Sequence, residues 1–171
     1  LEVIEARWLF GVDPSRIEVV IHPQSIVHSM VEFADGSLKA QLGRPDMRVP
    51  IAYCLTGPDR WEAPWGSMDF SKASSLEFLP LDPERFPVPG LAYRALEAGG
   101  TAPAALNAAD EAAVKLFLEK KIRFDEIAEI LKGAMEEHRV IDSPDLKTIL
   151  ETDRIIKDDI MGRYTTAKKS G

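Results

Sequence analysis

Residues 22–30, HPQSIVHSM, set two histidines, two serines, a glutamine and a proline among apolar neighbours. They follow Ile17-Glu18-Val19-Val20-Ile21, which reads as a buried strand. Three chemistries would use such a segment: a metal site, a nucleophile, or the polar lining of a cleft. On one unbroken strand His22 and His28 would share a face, but Pro23 interrupts the ladder. Zinc needs three or four ligands with a close first pair, and no cysteine pair or His-Glu-x-x-His helix supplies one. A nucleophilic Ser25 or Ser29 needs a base and an oxyanion hole, and there is no Gly-x-Ser-x-Gly elbow. The reading left strongest is His28 as a hydrogen-bonding histidine in a cleft or core, with direct proton transfer as its rival.

Other reactive side chains have plain readings. Glu2 and Glu5 lie i, i+3 on a helix and suit a solvated face. Asp82-Pro83-Glu84 suits a surface turn, and Asn107 with Asp110 suits contacts between helices. Cys54, the single cysteine, lies in the apolar run 51–55 and reads as a buried structural thiol. One cysteine allows no internal disulfide, which fits a reducing compartment. Gly99-Gly100-Thr101 is a helix stop, not a phosphate loop. The net charge of −7 argues against nucleic acid or an anionic membrane as main partner, and no apolar stretch reaches membrane-spanning length.

Several elements must position these residues. Residues 1–10 read as the end of an amphipathic helix stopped by Gly11. Residues 26–33 and 37–42 form a hairpin around Ala34-Asp35-Gly36, with one face packed and the other wet. Asp46 caps a helix from about Met47 to Gly57. The Pro-rich stretch 58–90 reads as an ordered connector with a short strand at 76–78, its Trp61, Trp65, Phe70 and Phe86 lying against something. Beyond Pro89, apolar stripes mark four helices, the last near 153–164. The tail 168–171 is expected to fray.

The 171 residues, 45% hydrophobic and 29% charged, are enough for real cores. The fold class is α+β: a partial catalytic α/β domain with a hairpin at 1–70, a connector at 71–87 and a four-helix bundle at 88–171. The first residue is Leu1 and a helical pattern is already running there, so the chain is expected to be part of something longer.

Ile4-Glu5-Ala6-Arg7-Trp8-Leu9-Phe10, His22-Pro23-Gln24-Ser25, His28-Ser29-Met30, Ala40-Gln41-Leu42-Gly43, Pro45-Asp46-Met47-Arg48 and Ala105-Leu106-Asn107-Ala108-Ala109 together resemble the 1-deoxy-D-xylulose 5-phosphate reductoisomerase family of the non-mevalonate isoprenoid pathway. The resemblance spans essentially the whole chain. It departs at Asp110, where the family more often has Asn. It implies the C-terminal portion of an enzyme that isomerises its phosphosugar substrate and reduces it with NADPH, using Mg²⁺ or Mn²⁺. It implies that Glu2 is a metal-ligating carboxylate that also meets substrate, that His28 supports catalysis by positioning, and that Pro45 and Met47 lie near the nicotinamide. The family's NADPH-binding domain, its Asp-Ser-Glu metal segment and its mobile loop find no counterpart in this sequence, so this portion alone is expected to be inactive and to bind neither cofactor tightly. A homodimer joined through the sheet-bearing region is also implied, in the bacterial cytoplasm or, after processing, a plastid, the cytoplasm being favoured.

The alternative is a non-enzymatic dimerising or assembly module that has lost its cofactor domain. A free-standing metal hydrolase using His22, His28 and Glu2 is a remote third. Coding sequence upstream of Leu1 separates the first two: a Gly-rich βαβ unit favours the enzyme, and a nearby start codon favours the module. Tight Zn²⁺ binding by the chain would revive the third.

Overall fold

The computed structural model describes residues 1–69, 71 and 75–166. Phe70 and the tail 168–171 lie outside them. The described chain is mixed α/β and mostly helical, with six α-helices and two two-stranded antiparallel sheets. It divides into two compact units: residues 1–18 with 82–171, and residues 19–81. The first unit is therefore discontinuous in sequence.

In the first unit, α1 (Glu2–Phe10) ends at Gly11, whose φ of +63° is the left-handed turn that glycine adopts without strain. Val3 is its buried residue, while Trp8, Leu9 and Phe10 are exposed. A single 3-10 turn, Pro14–Arg16, follows, capped by the Asp13 carboxylate. The helices α3 (Val88–Ala98), α4 (Ala102–Leu118), α5 (Glu126–Glu137) and α6 (Leu146–Thr166) complete the unit. The central element is α4, which packs on α3, α5 and α6. Its buried face is largely alanine: Ala102, Ala105, Ala108, Ala109, Ala112 and Ala113. Small side chains let neighbouring helices approach closely, and Leu106 and Leu116 fill the space between layers. The final helix starts at Leu146, earlier than the sequence pattern suggested, with the Asp145 carboxylate accepting the Thr148 N–H at 2.7 Å.

Thr101 ties the α3–α4 turn to the segment before α6. It is fully buried. Its Oγ1 accepts the Ile141 N–H at 3.0 Å, and its own N–H donates to the Ile141 carbonyl at 3.2 Å. The same Oγ1 is hydrogen-bonded to His138 Nε2, 2.8 Å away. Gly100 beside it has φ +51°, and a Cβ there would stand 2.4 Å from the Ile141 oxygen. Burial pushes the His138 pKa down from 6.5. A base with a lowered folded-state pKa is protonated first in the unfolded chain. It therefore contributes stability that is present above 6.5 and lost as pH falls through and below that value. Melting curves between neutral and mildly acidic pH are expected to show this loss, and His138→Gln is expected to flatten that component.

In the second unit, β1 (Val20–Ile21) pairs with β4 (Leu79–Pro80), Val20 opposite Pro80 and Ile21 opposite Leu79. The run 17–21 is thus neither a five-residue strand nor buried: only two residues pair, and Val20 is 37% exposed. The connector's strand falls at 79–80, just past the expected 76–78. The hairpin β2 (Val27–Glu32) and β3 (Leu38–Leu42) matches its sequence signal, with Asp35 accepting the Ser37 N–H at 2.9 Å and Gly36 at φ +78°. The expected packed face is not found among the described residues, where Met30, Val31, Phe33 and Leu38 are all exposed. Helix α2 (Arg48–Thr56) completes the unit. Cys54 on it is exposed rather than buried, because α2 has no fully buried residue. Trp61 is 75% exposed, against the expectation that the connector's tryptophans lie against something; Trp65 is half-buried.

Candidate functional site

A register shift between Val27 and Ser29 makes His28 the extra residue of a β-bulge: Val27 faces Leu42, while Ser29 already faces Gln41. A bulge kinks its strand and re-aims the inserted side chain. Here the ring comes over Gly43, so that a Cβ on Gly43 would lie 3.5 Å from His28 Nε2. Gly43 is itself anchored by its N–H to the Ile26 carbonyl at 2.9 Å.

His28 opens onto a cavity of about 570 Å³ formed by the strand ends, the 43–47 loop and the exposed side of α2. Its wall includes Pro45, Met47, Val49 and Pro50, with Ser25 and Gln41 as polar lining. Ser25 is held at φ +51°, unusual for a residue with a side chain, by a turn in which its N–H donates to the His22 carbonyl at 3.0 Å. The loop is stiffened by Asp46, whose carboxylate accepts the Arg48 backbone N–H at 3.0 Å and three bonds from its guanidinium, at 2.9 Å, 3.1 Å and 2.6 Å. Those bonds hold the Asp46 pKa down at about 2, so it remains a fixed anion at neutral pH.

Three of the sequence-derived site residues, His28, Pro45 and Met47, therefore converge on one cavity. Glu2 stands on α1 of the other unit with its side chain exposed. Among the described residues no three His, Cys, Asp or Glu side chains converge as metal ligands. The donor set thus suits one coordination position of a hard cation and no more. It gives the zinc reading of His22 and His28 no support: His22 Nδ1 bonds the Glu77 carbonyl at 2.6 Å and its ring stacks on Phe78 at 4.7 Å.

Ser29 lies in β2, paired with Gln41. Asn107 bonds within its own helix, donating to Glu111 at 2.8 Å, not across helices. Burial raises the Asp110 pKa. Asp82 closes a surface turn by accepting the Glu84 N–H at 2.9 Å.

The cavity also contains residues that sequence reasoning passed over: Arg44, Tyr53 and Arg60. Arg60 lies over the Tyr53 ring at 3.8 Å, and Arg44 donates to the Trp65 carbonyl at 2.6 Å. Both arginines bring a cation to the cavity lining. Their only sequence signal was the i, i+7 spacing of Tyr53 and Arg60 across a helix end, too common to single them out.

Residues 42–159 match the model of the DXP reductoisomerase C-terminal domain family. The chain is 51% identical over 160 residues to the 1-deoxy-D-xylulose 5-phosphate reductoisomerase of Gloeobacter violaceus, covering 94% of this chain and 41% of that protein. It is 55% identical over 153 residues to that of Acetivibrio thermocellus, covering 90% and 40%. The fold is similar to a Zymomonas mobilis reductoisomerase solved with NADPH, at 40% identity and TM-score 0.85 over 95% of this chain and 43% of that one. It is also similar to a reductoisomerase solved with NADPH, fosmidomycin and magnesium, at 38% identity and TM-score 0.89 over 99% and 44%. The chain thus spans about two fifths of the length of the curated relatives it matches.

Proposed function

The chain belongs to the DXP reductoisomerase C-terminal domain family, and from that premise we propose that it is the C-terminal part of an NADPH- and divalent-metal-dependent enzyme converting 1-deoxy-D-xylulose 5-phosphate to 2-C-methyl-D-erythritol 4-phosphate in isoprenoid biosynthesis. The observation that carries the reading is the meeting of His28, Pro45 and Met47 at one cavity, held there by a bulge and a capped loop. Relatives of this fold have been solved with NADPH and with magnesium.

Each residue has a role in this scheme. Pro45 and Met47 offer an apolar wall that fits the flat face of a nicotinamide and keeps water from the hydride path. His28 positions a substrate oxygen by hydrogen bonding from its seat over Gly43. Glu2 gives one carboxylate to the Mg²⁺ or Mn²⁺ and lies against the substrate held there. When bound, the cation stabilises negative charge on substrate oxygens. Residues 19–81 form the sheet-bearing part of the catalytic domain, and residues 1–18 with 82–171 the closing helical unit. The hairpin joins two copies of the enzyme: Met30, Val31, Phe33 and Leu38 offer the exposed apolar surface that a second copy would cover. The setting is the bacterial cytoplasm, a reading supported by the bacterial sources of its relatives.

The test is NADPH oxidation by a full-length protein that contains this chain. Oxidation is expected to require both the deoxyxylulose phosphate and Mg²⁺ or Mn²⁺, and to stop with a chelator. The isolated chain is expected to give none. A full-length protein that leaves NADPH untouched under these conditions overturns the reading and returns the chain to the assembly-module alternative.

A further inference from the structure

The connector contributes a second feature to the site, away from the residues that line the cavity. The ladder between β1 and β4 has two residue pairs, too few to be stable unaided. Side chains beside it supply the missing hold. Gln24 makes a two-point contact with Glu77: its Nε2 donates to the Glu77 carboxylate at 2.8 Å, and its Oε1 accepts the Glu77 backbone N–H at 3.1 Å. His22 Nδ1 donates to the carbonyl of the same residue at 2.6 Å. A carbonyl only accepts, so Nδ1 carries a proton, and Nε2 is buried with no hydrogen-bond partner among the described residues. The His22 ring is further fixed by stacking on Phe78, nearly parallel at 15°.

Both anchor points lie in the turn 22–25. That turn ends at Ser25, which lines the cavity in the left-handed conformation, and leads through Ile26 and Val27 to the bulged His28. The Ser25 N–H is bonded to the carbonyl of His22, the residue that grips Glu77. A shift of the 22–24 backbone is therefore passed to Ser25 by one hydrogen bond and to His28 by three residues of chain.

We propose that Gln24 and Glu77 form a clamp that positions the Ser25–His28 side of the cavity, and so are positioning residues for the ligand bound there. The nature of that ligand rests on the reductoisomerase reading; the clamp itself rests on the geometry alone. Neither residue lines the cavity, and Glu77 is some fifty positions from the turn it holds (|i−j| is 53 for the Gln24 contact).

The test exchanges the two functional groups. Gln24→Glu replaces an amide donor by a carboxylate facing the Glu77 carboxylate. Adding Glu77→Gln restores a complementary pair: the carboxylate at 24 still accepts the backbone N–H of residue 77 and now also accepts from the new amide. In backbone and imidazole NMR spectra of the 171-residue chain, Gln24→Glu is expected to move the Ser25 amide and His28 ring signals, and the double variant to return them. In a full-length enzyme containing the chain, Gln24→Glu is expected to raise KM for the phosphosugar about tenfold, the scale of one charge-assisted hydrogen bond, with recovery in the double variant. A purely structural role would lower the amount of folded enzyme, hence kcat, and leave KM alone. Unmoved Ser25 and His28 signals, or a double variant no better than the single, overturns the clamp. Shifts and rescue in the chain, beside a full-length protein with no reductoisomerase activity, uphold the clamp and defeat the functional reading.

Discussion

Replacing His28 by glutamine in the full-length enzyme is expected to lower kcat about 100-fold, the scale of an ångström's misplacement of a reacting group. The bulge and Gly43 fix where the imidazole nitrogen sits. Glutamine keeps a polar tip but not the flat ring or its point of hydrogen bonding, so a substrate oxygen would be held off its productive position. Folding should not suffer, because His28 is exposed and the strand pairing around it is made by backbone groups. The melting transition is expected to stay within about 0.5 kcal/mol of the parent, as at most surface positions. Steady-state kinetics beside a thermal melt separate the two effects. Unchanged turnover would remove His28 from the reaction.

The second large effect concerns Glu2. Glu2→Gln is expected to raise the Mn²⁺ concentration for half-maximal activity by about 100-fold, since losing even an outer-shell partner of a bound metal costs 10–100-fold in affinity. A hard cation is held by charge on oxygen, and an amide oxygen brings only a dipole. The exposed side chain contributes no packing; α1 is anchored by Val3. Activity should therefore return at high Mn²⁺ in a protein that melts normally. Titrating Mn²⁺ against initial rate gives the answer, and an unaltered titration would exclude Glu2 as a ligand.

Legibility in the sequence tracked the range of the interaction responsible. The hairpin was legible because Asp35 and Gly36 encode their turn locally. The bulge at His28 was not, since it depends on which residue of β3 each residue of β2 meets, and alternation carries no such register. Helices α3 to α5 announced themselves through buried stripes, such as Ile130 and Leu131 in α5. The first turns of α6 were missed although Leu146, Ile149 and Leu150 stand at i, i+3 and i+4; a second local sign was Asp145, an N-terminal cap after Ser143-Pro144. The cysteine was misjudged because the apolar run 51–55 was taken to face a core, and α2 has no fully buried residue; Trp61 was misjudged because an aromatic connector was taken to lie against something. Of the cavity, His28 was read as a cleft histidine from its own segment, Pro45 and Met47 came from family likeness, and Arg44 and Arg60 needed coordinates.

Because β1 and β4 are antiparallel partners, residues 19–81 leave and re-enter the chain at neighbouring points, with Val20 and Pro80 only about 5 Å apart by ladder geometry. Such a segment is a cassette. It can be excised between Glu18 and Asp82 and replaced by a tight turn without lengthening the path that the helices on either side must span. Grafting the hairpin cassette of a distant relative onto these same helices is, by the same geometry, a matter of matching two backbone ends.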